Sequence, residues 1–271
     1  MSGIRSRFDW YEVTFEGHDD GREIAKLHRA LGGQITRSKG RNGYAECFAI
    51  ERDGSTLVQV YGHSSRTGEM HVVASGDACD ELVPLIRRFW PEHRVSRADA
   101  SVDFAADFAE LDELAVQFAT DAGISYRLVS DSAGGATRYL GAPSSELRLR
   151  VYKKSEQLRA LHPEAADDVP DGIVRVELQV RPGKRDIKER AAKMSPDDLY
   201  GLGRWSQVFA ARVLEIDAER VKTHFRRPSE WERALHYLQH QYGPMIRRRA
   251  EEVGHEQAVS DVLHALGMSS S

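Results

Sequence analysis

Tyr152 stands in a run of cations, Leu147-Arg148-Leu149-Arg150-Val151-Tyr152-Lys153-Lys154. Read with the two-residue period of a strand, Leu147, Leu149 and Val151 share one face, while Arg148, Arg150, Tyr152 and Lys154 share the other. A phenol with an ordinary pKa near 10 is a poor nucleophile at neutral pH, and adjacent Arg150 and Lys154 are expected to favour its ionised form. Such a tyrosine can attack a phosphodiester and become covalently linked to phosphate. Two other stretches divide the same way but carry carboxylates. In Arg97-Ala98-Asp99-Ala100-Ser101-Val102-Asp103-Phe104, the residues Asp99, Ser101 and Asp103 oppose Ala98, Ala100, Val102 and Phe104. In Val174 to Arg181, Glu177 shares a face with Arg175, Gln179 and Arg181. Hard carboxylate oxygens suit Mg2+ or Mn2+, which can polarise a non-bridging phosphate oxygen, so Asp99, Asp103 and Glu177 are the candidate metal ligands. Residue by residue, each has a plainer reading: Tyr152 as an amphipathic strand-end tyrosine, the carboxylates as partners for Arg97, Arg175 or Arg181.

The elements that must hold these residues alternate in type. Asp9 to Phe15 reads as a strand, Gly21 to Ala30 as a helix closed by Gly32-Gly33, and Tyr44 to Ile50, Leu57 to Tyr61 and Met70 to Ala74 as strands. Asp77 is the candidate N-cap of a helix ending at Trp90-Pro91. Val95 to Phe104 begins the order again, with a helix from Leu111 to Ala122 that turns Leu111, Leu114, Ala115 and Phe118 inward. Strands follow at Ile124 to Ser130, Ala136 to Leu140, Leu147 to Tyr152 and Ile173 to Val180. This is an α+β pattern: a mainly antiparallel sheet with helices on one face, in two related halves at about 1–93 and 94–195, although no residue-level repeat accompanies it. From Pro196 to the end, residues 196–271 read as helical, packed on the sheet domain of 1–195 or appended to it. Gly243-Pro244 is expected to start a new short helix carrying Arg247-Arg248-Arg249.

Composition and absences narrow the chemistry. With 41% hydrophobic and 30% charged residues the chain is of globular type, and its net charge of −4 is neutral evidence on polyanionic partners. No apolar run approaches the roughly 18 residues of a membrane span, and the opening residues turn acidic before any signal-like segment, so a cytoplasmic protein without membrane attachment is expected. Cys47 and Cys79 lack the paired spacing of a zinc site and read as buried thiols. There is no phosphate loop, no HExxH and no Gly-x-Ser-x-Gly elbow, and no organic cofactor is expected. His236 and His240 stand four apart with no third ligand, which fits surface residues better than a metal pair. No His-hydrophobic-His triplet occurs.

The most specific block, Thr137-Arg138-Tyr139-Leu140-Gly141 leading to Arg150-Val151-Tyr152-Lys153-Lys154-Ser155-Glu156, resembles the replication initiation factor family, the Rep-trans type of rolling-circle initiators and relaxases. Arg97-Ala98-Asp99 through Asp103 is similar to that family's arginine-x-aspartate-x-x-x-aspartate strand, and Arg175-Val176-Glu177 to its arginine-x-glutamate strand. His71 to Cys79 resembles its serine-glycine-x-x-cysteine segment, and Ser38 to Tyr44 its glycine-tyrosine turn. Lys153 replaces a common acidic residue, Ser155 a common glycine, and Ala142-Pro143 the usual serine-arginine. The resemblance implies a nicking and joining enzyme in which Tyr152 cleaves one strand of single-stranded or hairpin origin DNA, keeps the 5′ phosphate and frees a 3′ hydroxyl. It further implies that Asp99, Asp103 and Glu177 hold Mg2+ or Mn2+ without a histidine pair, and that Arg150 and Lys154 contact the scissile phosphate. Arg148, Lys153, Arg175 and Arg181 are expected to line the DNA backbone. A host helicase and polymerase are the expected partners, and a homodimer is compatible with the pattern.

Tyr139 is the second candidate nucleophile. The alternatives in other classes are a non-catalytic, origin-specific DNA-binding protein of the same fold and an α+β protein unconnected with nucleic acid. A tyrosine recombinase is disfavoured, because its tyrosine usually lies near the C-terminus, whereas the candidate here, Tyr152, stands mid-chain.

Overall fold

The computed structural model describes residues 6–16, 20–64, 68–131, 134–221 and 230–268, and the chain divides into two compact units, Met1–Phe225 and Arg226–Ser271. The division falls beyond the boundary expected at 195. Ten strands make one sheet in the first unit: β1 Arg7–Glu16, β2 Gln34–Lys39, β3 Tyr44–Arg52, β4 Ser55–Ser64, β5 Glu69–Ser75, β6 Arg94–Ala105, β7 Tyr126–Ser130, β8 Ala136–Leu140, β9 Leu147–Lys153 and β10 Ile173–Val180. Their order is β2-β3-β4-β5-β1-β6-β10-β9-β8-β7, and every pairing is antiparallel. The order is mirrored about the β1–β6 pair. On each side a first strand is followed by a helix and four strands, the last of which returns beside the first.

Helices α1 Asp20–Leu31, α2 Ala78–Phe89, α3 Phe108–Asp121, α5 Arg185–Ala191, α6 Pro196–Leu199 and α7 Arg204–Phe209 pack with the sheet into one core. The short α4 Lys154–Leu161 abuts β10. Leu27 of α1, Leu82 and Ile86 of α2, and Ala115 and Ala119 of α3 are sealed against Tyr11, Val72, Ala100, Leu149 and Val151 of the strands. Helices therefore cover one face, as the period-two pattern required. The α+β reading holds. Cys47 and Cys79 are buried and unpaired with each other.

Several local expectations change. Asp77 makes no capping bond; its carboxylate takes Arg7 instead, at 2.6 Å. Helix α3 begins three residues early because the Asp107 carboxylate accepts the amides of Ala109 and Glu110, at 2.7 and 3.0 Å. Leu114, expected inside, is 57% exposed, and Ala119 takes the inward position. Strand β2 has no buried residue and so no alternation to detect. It forms an edge, and its Arg37 and Lys39 are typical of edges protected from further pairing.

Residues 196–214 form α6, a 3-10 turn, α7 and a π turn, with Phe209 and Leu214 buried in the sheet's core. Ser195 and Asp198 make a reciprocal capping box at α6. In the second unit, α8 Glu230–Val253 runs through Gly243-Pro244 without stopping, and α9 His255–Ala265 follows Gly254. Proline lacks one amide hydrogen, but the good helix formers from Met245 to Glu252 keep the rest of the ladder, so the expected break is absent. Gly254, at φ 87°, supplies the turn. The side chains of His236 and His240 lie outside the described residues, as do Met1 to Arg5 of the opening segment. Among the described residues no helix is long and apolar enough to cross a membrane.

Candidate active site

Because β6, β10, β9 and β8 are neighbours, residues turned away from the core line up in rows across the sheet. Asp103, Arg175, Tyr152 and Thr137 form one row; Ser101, Glu177, Arg150 and Tyr139 the next; Asp99, Gln179 and Arg148 a third. Register thus gathers most of the residues singled out by type. The strands are central enough that even this face, turned from the core, is closed to water at its middle: Asp99, Ser101, Arg175 and Glu177 are at most 1% exposed.

Glu177 is the hub. Its Oε1 accepts Nη2 of Arg150, and its Oε2 accepts the phenol of Tyr152 at 3.4 Å. Burial, and next the charge of Asp99, raise its carboxyl to about 7, against the lowering effect of Arg150. Asp99 accepts Nε of Arg97 at 3.0 Å and a second bond from that guanidinium, and Nε2 of Gln179 at 3.5 Å. Between the two carboxyls, Ser101 Oγ is buried with no hydrogen-bond partner; Nε of Arg148 and Nε of Arg150 are likewise buried and unmet. Buried polar atoms are nearly always paired, so these three stand out.

Asp103 belongs to a different cluster. Its two oxygens accept Nε and Nη2 of Arg175 at 2.5 and 2.6 Å, and Nη1 of Arg175 reaches Asp9 at 2.6 Å. Asp99 and Asp103 are four residues apart on one strand, roughly 13 Å. Among the described residues no group of three or more His, Cys, Asp or Glu side chains gathers as a metal would need. Asp99 and Glu177, with the idle hydroxyl of Ser101, are the hard oxygen donors that do come together, and this set fits a divalent cation completed by water or phosphate. Arg175 is enclosed by its two carboxylates rather than presented to a backbone phosphate.

The expected activation of Tyr152 by neighbouring cations is reversed. Its phenol is 7% exposed, and burial, followed by the charge of Glu177, pushes its pKa well above 10, outweighing Arg175 and Arg150. Lys154 opens α4 and donates to Gln157 at 2.9 Å; burial lowers its pKa. Lys153 alternates to the opposite side of the sheet, 5.7 Å from the ring of Phe108. Arg148 lies 3.9 Å over the ring of Tyr139, which Arg127 also approaches, at 5.6 Å. Arg181 sits just beyond β10, close enough to Arg97 to feel its charge.

Asp9 had not been singled out by type. Strict alternation assigns it to the apolar side with Tyr11, but the register of β1 against β6 shifts between Phe8 and Trp10, and this bulge turns it toward Arg175. A bulge leaves no periodic signal.

No protein-family model and no curated protein sequence matches the chain. Among solved structures, a rolling circle replication initiator protein from Geobacillus stearothermophilus superposes with a TM-score of 0.54 over 81% of this chain and all of that one, at 20% sequence identity. What the two share at that identity is a fold, the same one that brings Asp99, Glu177, Arg150 and Tyr152 to one face of the sheet here.

Proposed function

We propose that the chain is a DNA nicking and joining enzyme that initiates rolling-circle replication or transfer, with Tyr152 as nucleophile. The observation that carries this reading is the shared carboxylate: Glu177 holds the Tyr152 phenol and the Arg150 guanidinium at once, beside Asp99. The fold shared with a rolling circle replication initiator supports it. In the cleavage step the Tyr152 Oη to phosphorus bond forms and the phosphorus to O3′ bond breaks. The phenol proton passes to Glu177, whose raised carboxyl is a base matched to neutral pH, and from Glu177 to the departing 3′ oxygen. Reversal rejoins the strand. Arg150 and Arg148, each with a buried unmet Nε, meet the negative charge of the phosphate.

Asp99, Ser101 and Glu177 would hold Mg2+ or Mn2+. When bound, such an ion supplies positive charge against a non-bridging phosphate oxygen. Asp103 serves instead, with Asp9, to fix Arg175 behind the tyrosine. The substrate is a single-stranded or hairpin origin, and extension of the freed 3′ end falls to a host polymerase and helicase.

One observation favours a second nucleophile. Tyr139 is only half-buried and its ring is flanked by Arg148 and Arg127, a more accessible cationic setting than that of Tyr152. Incubation with labelled single-stranded fragments of the genetic element that encodes the chain, with Mn2+, tests the proposal: a slow-migrating covalent adduct is expected from the wild type and from Tyr139→Phe, and none from Tyr152→Phe. An adduct that survives Tyr152→Phe and vanishes with Tyr139→Phe transfers the role. DNA binding without any adduct would leave a non-catalytic origin-binding protein.

A further inference from the structure

In the other half of the sheet, the face turned away from α1 and α2 carries a constellation that the nicking chemistry does not use. Trp10 of β1, Tyr44 of β3, Tyr61 of β4 and His71 of β5 surround a recess of about 200 Å³. Tyr44 and His71 stack with ring centroids 5.7 Å apart and planes 27° apart, and Tyr61 lies 6.0 and 5.7 Å from them. Beneath them is a small apolar floor of Cys47 and Val73. Glu12 fixes two of the rings at their edges, accepting Nε1 of Trp10 at 3.1 Å and pairing with Nε2 of His71 at 2.9 Å.

At the rim, the hairpin turn between β2 and β3 holds Arg41 5.2 Å over the ring of Tyr61. The turn is tight because Asn42 and Gly43 both adopt positive φ, 57° and 92°. Among the described residues, no helix contributes to the small apolar cluster on this side, and aromatic rings line an opening where a sheet ordinarily presents polar side chains.

The recess adjoins the acidic centre. Trp10 is the register partner of Asp99. The guanidinium of Arg97 touches both, 4.4 Å over the indole and 3.0 Å from the Asp99 carboxylate. With neighbouring strands ~4.8 Å apart, a DNA strand lying at Asp99 and Glu177 reaches the recess within a few nucleotides. Every base has a π-face, and aromatic platforms on sheets beside cationic tracks are a general means of holding single-stranded nucleic acid.

We infer that the recess bounded by Trp10, Tyr44, Tyr61 and His71 binds one unpaired nucleobase of the same DNA strand that is presented at the acidic centre. The rings stack the base, and Arg41 and Asn42 at the rim meet its polar edge. This rests on the nicking reading for the identity of the strand, and the test keeps the two separate. The probe is a deoxythymidine oligomer carrying a single 2-aminopurine, titrated with the full chain. Stacking in the recess quenches the 2-aminopurine.

Tyr44→Leu and Trp10→Leu, each checked for an unchanged melting transition, are expected to abolish the quenching. They should weaken binding about 5-fold to 100-fold with the slope of affinity against salt unchanged, because rings and not phosphate contacts are removed. A duplex of the same sequence, with its bases already stacked, should not depend on Tyr44. Folded variants that bind and quench like the wild type, or a duplex that competes equally well, overturn the inference. If the wild type binds and quenches while forming no adduct with any DNA, the base site stands and the nicking reading falls. If adducts form normally but Tyr44→Leu binds unchanged, the reverse holds.

Discussion

Two buried tyrosines occupy mirrored strands of the sheet, Tyr61 on β4 and Tyr152 on β9, each third from the β1–β6 seam and each facing away from the helices. Burial is the first cause raising the pKa of both. Their neighbours differ. The Tyr61 hydroxyl donates to an amide oxygen, Gln59 Oε1 at 3.0 Å, beside Cys47, whereas the Tyr152 hydroxyl meets a carboxylate that also holds a guanidinium. A shared topology therefore delivers phenols to equivalent places, and only the residues across the register distinguish a stacking wall from a nucleophile. In the second half β10 contributes Arg175, Glu177 and Gln179; in the first, β5 contributes His71 and Val73. Ionic groups gather on one side of the seam and rings on the other.

Four experiments break or sharpen that contrast. The largest effect is expected from Tyr152→Phe, which should lower covalent adduct yield by at least about 10³-fold in a denaturing gel assay; retained cleavage would erase the distinction between the two phenols. Next is Arg175→Ala. It leaves Asp9 and Asp103 facing each other without their common cation, and should lower unfolding free energy in urea by about 3 kcal/mol, since both carboxylates keep some contact with water. A loss under 1 kcal/mol would mean that the ionic half is not held together as described.

Third, the raised carboxyl of Glu177 makes stability depend on pH. Between about 4.5 and about 7 the folded state holds a proton that the unfolded state has released, so stability should fall as pH rises through that window, by about 3 kcal/mol, and level off above it. Glu177→Gln should flatten the profile. Mn2+ should raise the melting temperature of the wild type more at pH 8 than at pH 5, because the bound form needs the carboxylate ionised. A wild-type profile without the fall would sink the raised carboxyl of Glu177 and its role as base. The smallest effect belongs to Tyr61→Phe, which removes one neutral hydrogen bond and should cost about 1 kcal/mol or less by thermal unfolding.

The faces of β6, β9 and β10 were legible in the sequence because alternation survives wherever one side of a strand meets a core; Asp99, Arg150, Tyr152 and Glu177 all stand on the side the period assigned. Register was not legible, and it decides the chemistry. A strand pattern does not say that Arg175 falls opposite Asp103 while Glu177 falls opposite Ser101, so three carboxylates expected around one cation separate into two clusters. Strand ends also misled: Lys153 and Lys154 continue the cationic run in sequence, but the first points to the helices and the second begins one. The aromatic recess escaped notice because its residues come from four strands, with Tyr44 and Trp10 far apart in the chain and neither unusual by type. Gly243-Pro244 has the pattern of a new helix start, but a single missing amide hydrogen is a smaller loss than interrupting a 24-residue helix.

The first strand in chain order, β1, is the fifth of ten across the sheet, and its partners β5 and β6 begin only at Glu69 and Arg94. A growing polypeptide thus carries Tyr11, Val13 and Phe15 without a hydrogen-bonded neighbour until more than a quarter of the chain has been made, while the outermost strands, β2 and β7, come from the interior of each half. Folding must close inward onto the oldest segment instead of adding ribbons outward from it. Long-range closure of this kind is slow, and β6 waits longer still for its second neighbour, β10, which begins only at Ile173.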